Sequence, residues 1–227
     1  MKTKLFSFVL ILLLSVPMAV AQSSGKGDSK IGFGLLGGLN LQNLNGKDFW
    51  GEKLENTLVF GFHGGANANI PVIPDFYFQP GLLITIKGAK AEEISITTTK
   101  KLNYLEIPLN LLYRPLVGDG HILVGFGPYV AYGIGGKVKT KGGSISSELD
   151  VKFKNMVKLT DPVDVAYYRA FDAGANIFFG YEMYSGIFFQ LNAQVGMLKV
   201  NPEYELLSND KTSVKNTGFG LSLGYRF

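Results

Sequence analysis

After residue 30, apolar positions alternate with small or polar ones at a period of two, the spacing of strands whose side chains point to opposite faces. From 218 to 227, Phe219, Leu221, Leu223, Tyr225 and Phe227 share one face, and Gly218, Gly220, Ser222, Gly224 and Arg226 share the other. The same reading holds over 31–41, 58–70, 76–87, 103–114, 121–134, 171–184 and 186–199. Eight strands are therefore expected. No segment after Gln22 keeps a helical period, and none is apolar for long enough to cross a bilayer as a helix.

The connections predict how these strands join. Pro71–Asp75, Pro115–Gly120 and the stretch around Ser185 are turn-sized and rich in Pro, Gly, Asp and Ser. Gln42–Thr57, Gly88–Leu102, Gly135–Ala170 and Val200–Thr217 are long and polar. Short and long links alternate strictly. That is the form of an all-β, up-and-down antiparallel barrel with tight turns at one rim and large loops at the other. The expected fold is an eight-stranded transmembrane β-barrel with periplasmic turns and external loops.

Which face is wet separates a membrane barrel from a soluble carrier. One face of each strand is almost uninterrupted Leu, Ile, Val and Phe, while the other collects Gly, Asn, Gln, Glu, Arg, Lys and His. Eight strands enclose little space, so small and polar groups suit the lumen and the apolar face is left for lipid. Outward aromatics fall into two sets, as interfacial girdles require. Phe76, Phe78, Tyr113, Tyr181, Tyr225 and Phe227 lie toward the turns, and Phe60, Phe62, Tyr132, Phe171 and Phe219 toward the loops.

The N-terminus carries an address. Lys2 and Lys4 precede the apolar run Leu5–Leu14, and Ala19-Val20-Ala21 supplies small residues two apart, the layout of a secretory signal cleaved after Ala21. The chain then divides into a signal peptide (1–21), a short periplasmic N-terminal segment (22–30) and a barrel domain (31–227). Loss of Lys2 and Lys4 lowers the formal charge from +4 to +2, so no concentrated basic face points to nucleic acid. The sequence holds 29 glycines in 227 residues and no Cys. That glycine share is nearly twice the usual share of about 7%, and the lack of Cys excludes disulfides and thiolate chemistry.

Three segments carry a family likeness: Lys87-Gly88-Ala89-Lys90, Tyr104-Leu105-Glu106-Ile107-Pro108-Leu109 and Gly125-Phe126-Gly127-Pro128-Tyr129. With the leader and terminal strand they resemble the PorT-like outer-membrane β-barrel family of Bacteroidota. The resemblance implies an eight-stranded outer-membrane barrel. One namesake of the family is tied to type IX secretion. The terminal strand, with Leu221, Leu223, Tyr225 and Phe227 on one face, is similar to the signal read by the barrel-assembly machinery during insertion.

Candidate chemistry gathers in the lumen, where parity places Glu106, Glu182, Arg114, Arg226, Lys87 and His63. A polar plug of ion pairs and a proton or ion path are both open readings, and Arg114, Glu182 and Arg226 fall together near the turn end. His63 with Asp172 is the one pairing that offers a rim-acting hydrolase, while His121 sits in a turn. Asp161 and Asp164 read as solvated loop charges rather than metal ligands, and the glycines at 32, 34, 37 and 38 lack the following helix that a phosphate loop needs. No pattern implies a cofactor. Lys137, Lys139 and Lys141 at alternate positions fit a solvated hairpin or a basic strand facing lipid phosphates or surface sugars, and Trp50 beside Phe49 packs over the rim or contacts a ligand. The expected role is non-enzymatic: structural, adhesive or partner-binding through the external loops, with outer-membrane lipid and other envelope proteins as partners. A secretion- or transport-associated component is the alternative.

Overall fold

A computed structural model describes residues 30–93, 95–143, 145–207 and 209–227. The leader at 1–21 and residues 22–29 of the N-terminal segment lie outside the described residues. In chain order the strands are β1 (Gly32–Lys47), β2 (Asn56–Thr57), β3 (Val59–Ile73), β4 (Phe76–Glu93), β5 (Ile96–Tyr113), β6 (Leu116–Val117) and β7 (Gly120–Gly142), followed by β8 (Ile145–Phe153), β9 (Met156–Val157), β10 (Val165–Tyr168), β11 (Phe171–Met183), β12 (Ile187–Gly196), β13 (Glu203–Tyr204) and β14 (Ser213–Arg226). Eight long strands pair in the order β1, β3, β4, β5, β7, β11, β12, β14, each antiparallel to the next. β14 returns to β1 from Gly34↔Arg226 to Lys47↔Ser213, which closes the ring and removes every long edge.

The outward face is apolar along the whole ring. Phe33, Phe60, Phe126, Phe179, Leu191 and Leu223 are each more than half exposed, a surface that water would not tolerate over this extent and that lipid favours. Outward aromatics pair across neighbouring strands near the turns, with ring centroids 4.7 Å apart for Phe76–Tyr113 and 6.2 Å for Tyr181–Phe189. Tyr132–Phe171 at 5.5 Å does the same toward the loops.

Two expectations change. First, much of what the polarity pattern reads as loop is strand. β4 and β5 each run 18 residues and β7 runs 23, against the roughly 9–11 needed to span a bilayer. The polar stretch 88–102 is a hairpin that turns at Ser95 (φ 73°). Above the bilayer both faces of a strand are wet, so the apolar alternation stops although the ladder continues. In the opposite sense, β12 stops at Gly196 instead of running to 199, because Val200 turns inward and is fully buried with Leu44 and Ala89.

Second, the lumen is not only small and polar. Near the turns Tyr77, Leu112, Leu123, Phe178 and Phe188 form an apolar layer across it, none more than 7% exposed. Glycines at the paired positions of the adjacent strands make room, with Gly125 opposite Phe178 and Gly224 opposite Phe188. A Cβ on Gly125 would lie 2.1 Å from Phe178 Cζ, and one on Gly224 would lie 2.2 Å from Phe188 Cζ. Gly125 and Gly224 are thus the complement of large inward rings in a narrow barrel.

Candidate functional site

The lumen is stacked in layers, and its chemistry follows from which strands face one another across it. At the loop end, Leu102, Tyr104, Tyr129, Ala131, Val138 and Val151 form an apolar cap against which Leu149, Phe153, Ala166 and Tyr168 pack. β8 and β10 supply the last four, so the connection between β7 and β11 folds back over the mouth. The Phe153 ring occupies the space over Gly133, where a Cβ would approach within 2.3 Å.

Beneath this cap lies a buried charge cluster. Lys87 Nζ is 2.8 Å from Glu106 Oε2 and 3.0 Å from Asp172 Oδ2, with the Lys87 and Asp172 side chains fully buried. Tyr129 Oη and Asn216 Nδ2 also donate to Asp172 Oδ2, at 3.2 and 2.9 Å, and Gln194 Nε2 donates to Glu106 Oε1 at 2.9 Å. The ammonium lies 4.0 Å from the centroid of the Tyr129 ring. Strands β4, β5, β7, β11, β12 and β14 are thereby tied together through one point. Buried charges persist only when paired and hydrogen-bonded in this way.

His63 occupies the next layer. Its Nδ1 is 2.6 Å from Asn40 Oδ1 and its Nε2 is 2.7 Å from Ser222 Oγ, while Asn40 also donates to Thr85 and Asn192 donates to Ser222. A cavity of about 90 Å³ opens here, lined by Asn40, His63, Thr85, Glu106, Asn192 and Gln194 among others. His63 therefore has an amide and a hydroxyl at its ring nitrogens, and Asp172 is engaged with Lys87, Tyr129 and Asn216. The His63–Asp172 pair considered for hydrolysis does not form, because the two side chains belong to different layers of the lumen.

Below the aromatic layer, Glu182 bridges two guanidinium groups. Arg114 Nη2 is 2.7 Å from Glu182 Oε1, and Arg226 Nε is 2.8 Å from Glu182 Oε2. Arg226 Nη1 also donates to Asn67 Oδ1 at 3.1 Å. The six lumenal candidates thus divide into three groups: Lys87 with Glu106, Glu182 with Arg114 and Arg226, and His63 among neutral partners. Tyr129, Asn216, Gln194 and Ser222 complete the network and are not among the sequence candidates, whereas Asp172 is a candidate whose partners prove to be Lys87, Tyr129 and Asn216 rather than His63. Asn216, Gln194 and Ser222 are legible as polar residues at inward parity, whereas nothing in the sequence reports their heights.

On the lipid-facing wall, Leu221, Leu223 and Tyr225 face outward on β14, and the Phe227 N–H donates to Phe33 O at 2.8 Å, so the C-terminus belongs to the closing seam. Asp161 accepts from Lys154 Nζ at 2.6 Å and from the Lys158 N–H at 2.7 Å. The Lys154 ammonium and the Lys158 amide hold its carboxyl below the ordinary range. Among the described residues no three His, Asp or Glu side chains group around a metal position. Trp50 is 75% exposed and packs edge-on against Phe49. The loops interlock: β9 pairs with β13, and the Lys211 N–H donates to Phe49 O at 3.4 Å.

A closed antiparallel ring with an apolar outer band and a filled polar lumen defines a membrane-spanning β-barrel. The chain belongs to the outer membrane protein beta-barrel domain family, whose model matches residues 6–227. Among solved structures it is similar to Ail, the attachment invasion locus protein of Yersinia pestis, in complex with the heparin analogue sucrose octasulfate. That likeness has 14% identity, covers 87% of this chain and 99% of that one, and has a TM-score of 0.40. A second crystal structure of Ail gives 13% identity, 86% and 98% coverage, and a TM-score of 0.39. No curated protein sequence matches the chain.

Proposed function

We propose that this outer-membrane barrel is a non-enzymatic scaffold that holds an ordered external crown for binding a partner. The observation that carries the reading is the contrast between a blocked lumen and a built crown. Two apolar layers and two charge clusters cross the interior, while β8, β9, β10 and β13 give the long connections their own structure. That crown exposes apolar side chains, including Trp50, Leu159, Val163 and Leu206, each at least two-thirds exposed. Apolar groups held in water on a rigid support suit docking more than solubility. The test is surface proteolysis of cells followed by cross-linking. Cleavage is expected within 155–164 and 203–210 but not at Pro115–Gly120, and replacing Trp50, Leu159 and Leu206 with Ser should abolish cross-links made from the cell exterior. Cleavage only from the periplasmic side would overturn the orientation, and unchanged cross-links would overturn the crown.

A PorT-like, secretion-associated role is the second reading. It is favoured by exposed apolar groups at the turn rim, where Ile73 is 57%, Leu116 68% and Tyr184 94% exposed. In that case envelope proteins co-purify with the barrel, and Leu116→Ser with Tyr184→Ser removes them. Processing after Ala21 predicts a mature protein that begins at Gln22, which N-terminal sequencing reads directly. Recognition of the terminal strand by the assembly machinery predicts that Tyr225→Ser with Phe227→Ser lowers the amount of inserted barrel.

A further inference from the structure

We propose that the outward face of β5 and β7, just beyond the apolar band on the loop side, binds the phosphate groups of anionic lipids in the surrounding leaflet. The outward apolar residues end at Leu105 on β5 and Ile134 on β7. The next outward positions are Asn103, Lys101 and Thr99 on β5 and Lys137, Lys139 and Lys141 on β7, paired Lys101↔Lys137, Thr99↔Lys139 and Thr97↔Lys141. The basic step therefore follows directly on the lipid-facing surface and shares its face.

A bulge puts it there. From Ile122 to Ile134 the outward residues of β7 are even-numbered, so strict alternation would send Lys137, Lys139 and Lys141 into the lumen and Val138 out. The register shifts between Asn103, opposite Gly135, and Tyr104, opposite Gly133, which leaves one extra residue on β7. Bulges of this kind re-aim the side chains that follow. Here Val138 becomes 9% exposed as part of the cap, and the lysines turn to the outer face.

The resulting arrangement holds more positive than negative charge, with Lys101, Lys137, Lys139 and Lys141 against Glu148 and Asp150 of β8, which stand opposite Lys139 and Lys137. Lys101 and Lys137 are directly opposed, which like charges disfavour unless something neutralises them. Glu148 serves both Lys137 and Lys139, the latter at 2.6 Å, and Lys101 has no ion pair among the described residues. Thr99, Lys101, Asn103, Lys137 and Lys139 line a groove whose one carboxylate, Asp150, stands opposite Lys137. Its floor is open at Gly135, where an added Cβ would have nothing nearer than Asn103 Nδ2 at 3.9 Å. A phosphate seated there accepts from the ammonium groups, the Asn103 amide and the Thr99 hydroxyl, and its acyl chains run down past Leu105 and Ile134. A lysine near an anionic membrane surface contributes about five-fold in affinity.

The experiment uses the full chain, folded in mixed micelles containing equal phosphatidylglycerol and phosphatidylcholine, with retained lipid quantified by mass spectrometry after purification. The wild type is expected to retain phosphatidylglycerol over phosphatidylcholine by about ten-fold or more. Lys101→Gln, Lys137→Gln and Lys139→Gln together should bring the ratio close to parity, and the same three positions as Arg should keep it. Lys53→Gln, Lys158→Gln and Lys211→Gln remove equal charge from the loops and should leave it unchanged. The heat-dependent gel shift of the barrel reports folding of each variant, and the Arg variant decides the matter if the Gln variant does not fold. Parity in the wild type, an unchanged Gln variant, a lost preference in the Arg variant or an equal loss in the loop control overturns the proposal. Displacement of the lipid by inorganic phosphate, with phosphate binding in the absence of lipid, also overturns it by making this a free-anion site.

Discussion

The two ends of the lumen are closed by different means. At the turn end the seal belongs to the barrel wall: Tyr77, Leu112, Leu123, Phe178 and Phe188 project from β4, β5, β7, β11 and β12, and Arg114, Glu182 and Arg226 lie beyond them. At the loop end the wall contributes Leu102, Tyr104 and Tyr129, but the lid above them, with Val151 and Phe153, comes from the excursion after β7. The first seal cannot open without unfolding strands that are locked in the ring. The second rests on a flap that can lift while the ring stays intact, since segments outside the cooperative core open at lower free energy. Closure of the lumen and order of the crown are therefore coupled only at the loop end.

The largest expected effect comes from the charge cluster beneath the flap. Lys87→Ala leaves Glu106 and Asp172 buried without their cation, and should cost about 3–5 kcal/mol of barrel stability in denaturant titrations. If the loss is under about 1 kcal/mol, water reaches the cluster and the loop-end seal is not closed. Next, Phe188→Ala at the turn end should cost about 3 kcal/mol by opening a cavity between packed walls. Phe153→Ala should cost the barrel less than about 1 kcal/mol while making the flap more protease-sensitive, because its partners are lost only locally. Equal losses would erase the distinction between the two ends.

The smallest effect is a pH response of the flap. Hydrogen bonds from Lys137 and Lys139 hold the Glu148 carboxyl down to about 2, from an ordinary value of 4.5. A depressed folded value stabilises above the ordinary one and is lost as pH falls toward the depressed one. Cleavage of the flap by an acid-active protease should thus rise between pH 4.5 and about 2, and Glu148→Gln should flatten that rise. The gel shift of the barrel should not change over the same interval.

The sequence makes the ring legible because lipid on one side and a narrow lumen on the other impose a strict alternation, and tight turns mark one rim. Lumenal parity likewise assigns Glu106, Glu182, Arg114, Arg226, Lys87 and His63 to the interior. Their grouping is not legible, since it depends on the stagger between strands distant in the chain: His63 and Asp172 share parity and yet lie in separate layers. The extension of β4, β5 and β7 beyond the bilayer is hidden for a related reason. Thr97, Thr98 and Thr99 have the β-branched character of a strand, but with water on both faces the apolar alternation that marks the others is gone. The bulge at Ile134 and Gly135 also escapes a period-two reading, which presumes that parity never slips.

A lumen crossed by two apolar layers and two charge clusters is expected not to conduct. This expectation is tested most directly by planar-bilayer recording of the full folded chain, alone and with Phe153→Ala. No discrete current steps are expected in either, because the turn-end seal persists when the flap is weakened. Stepwise conductance in the wild type, carried by small ions and altered by Arg114→Gln or Glu182→Gln, would contradict it.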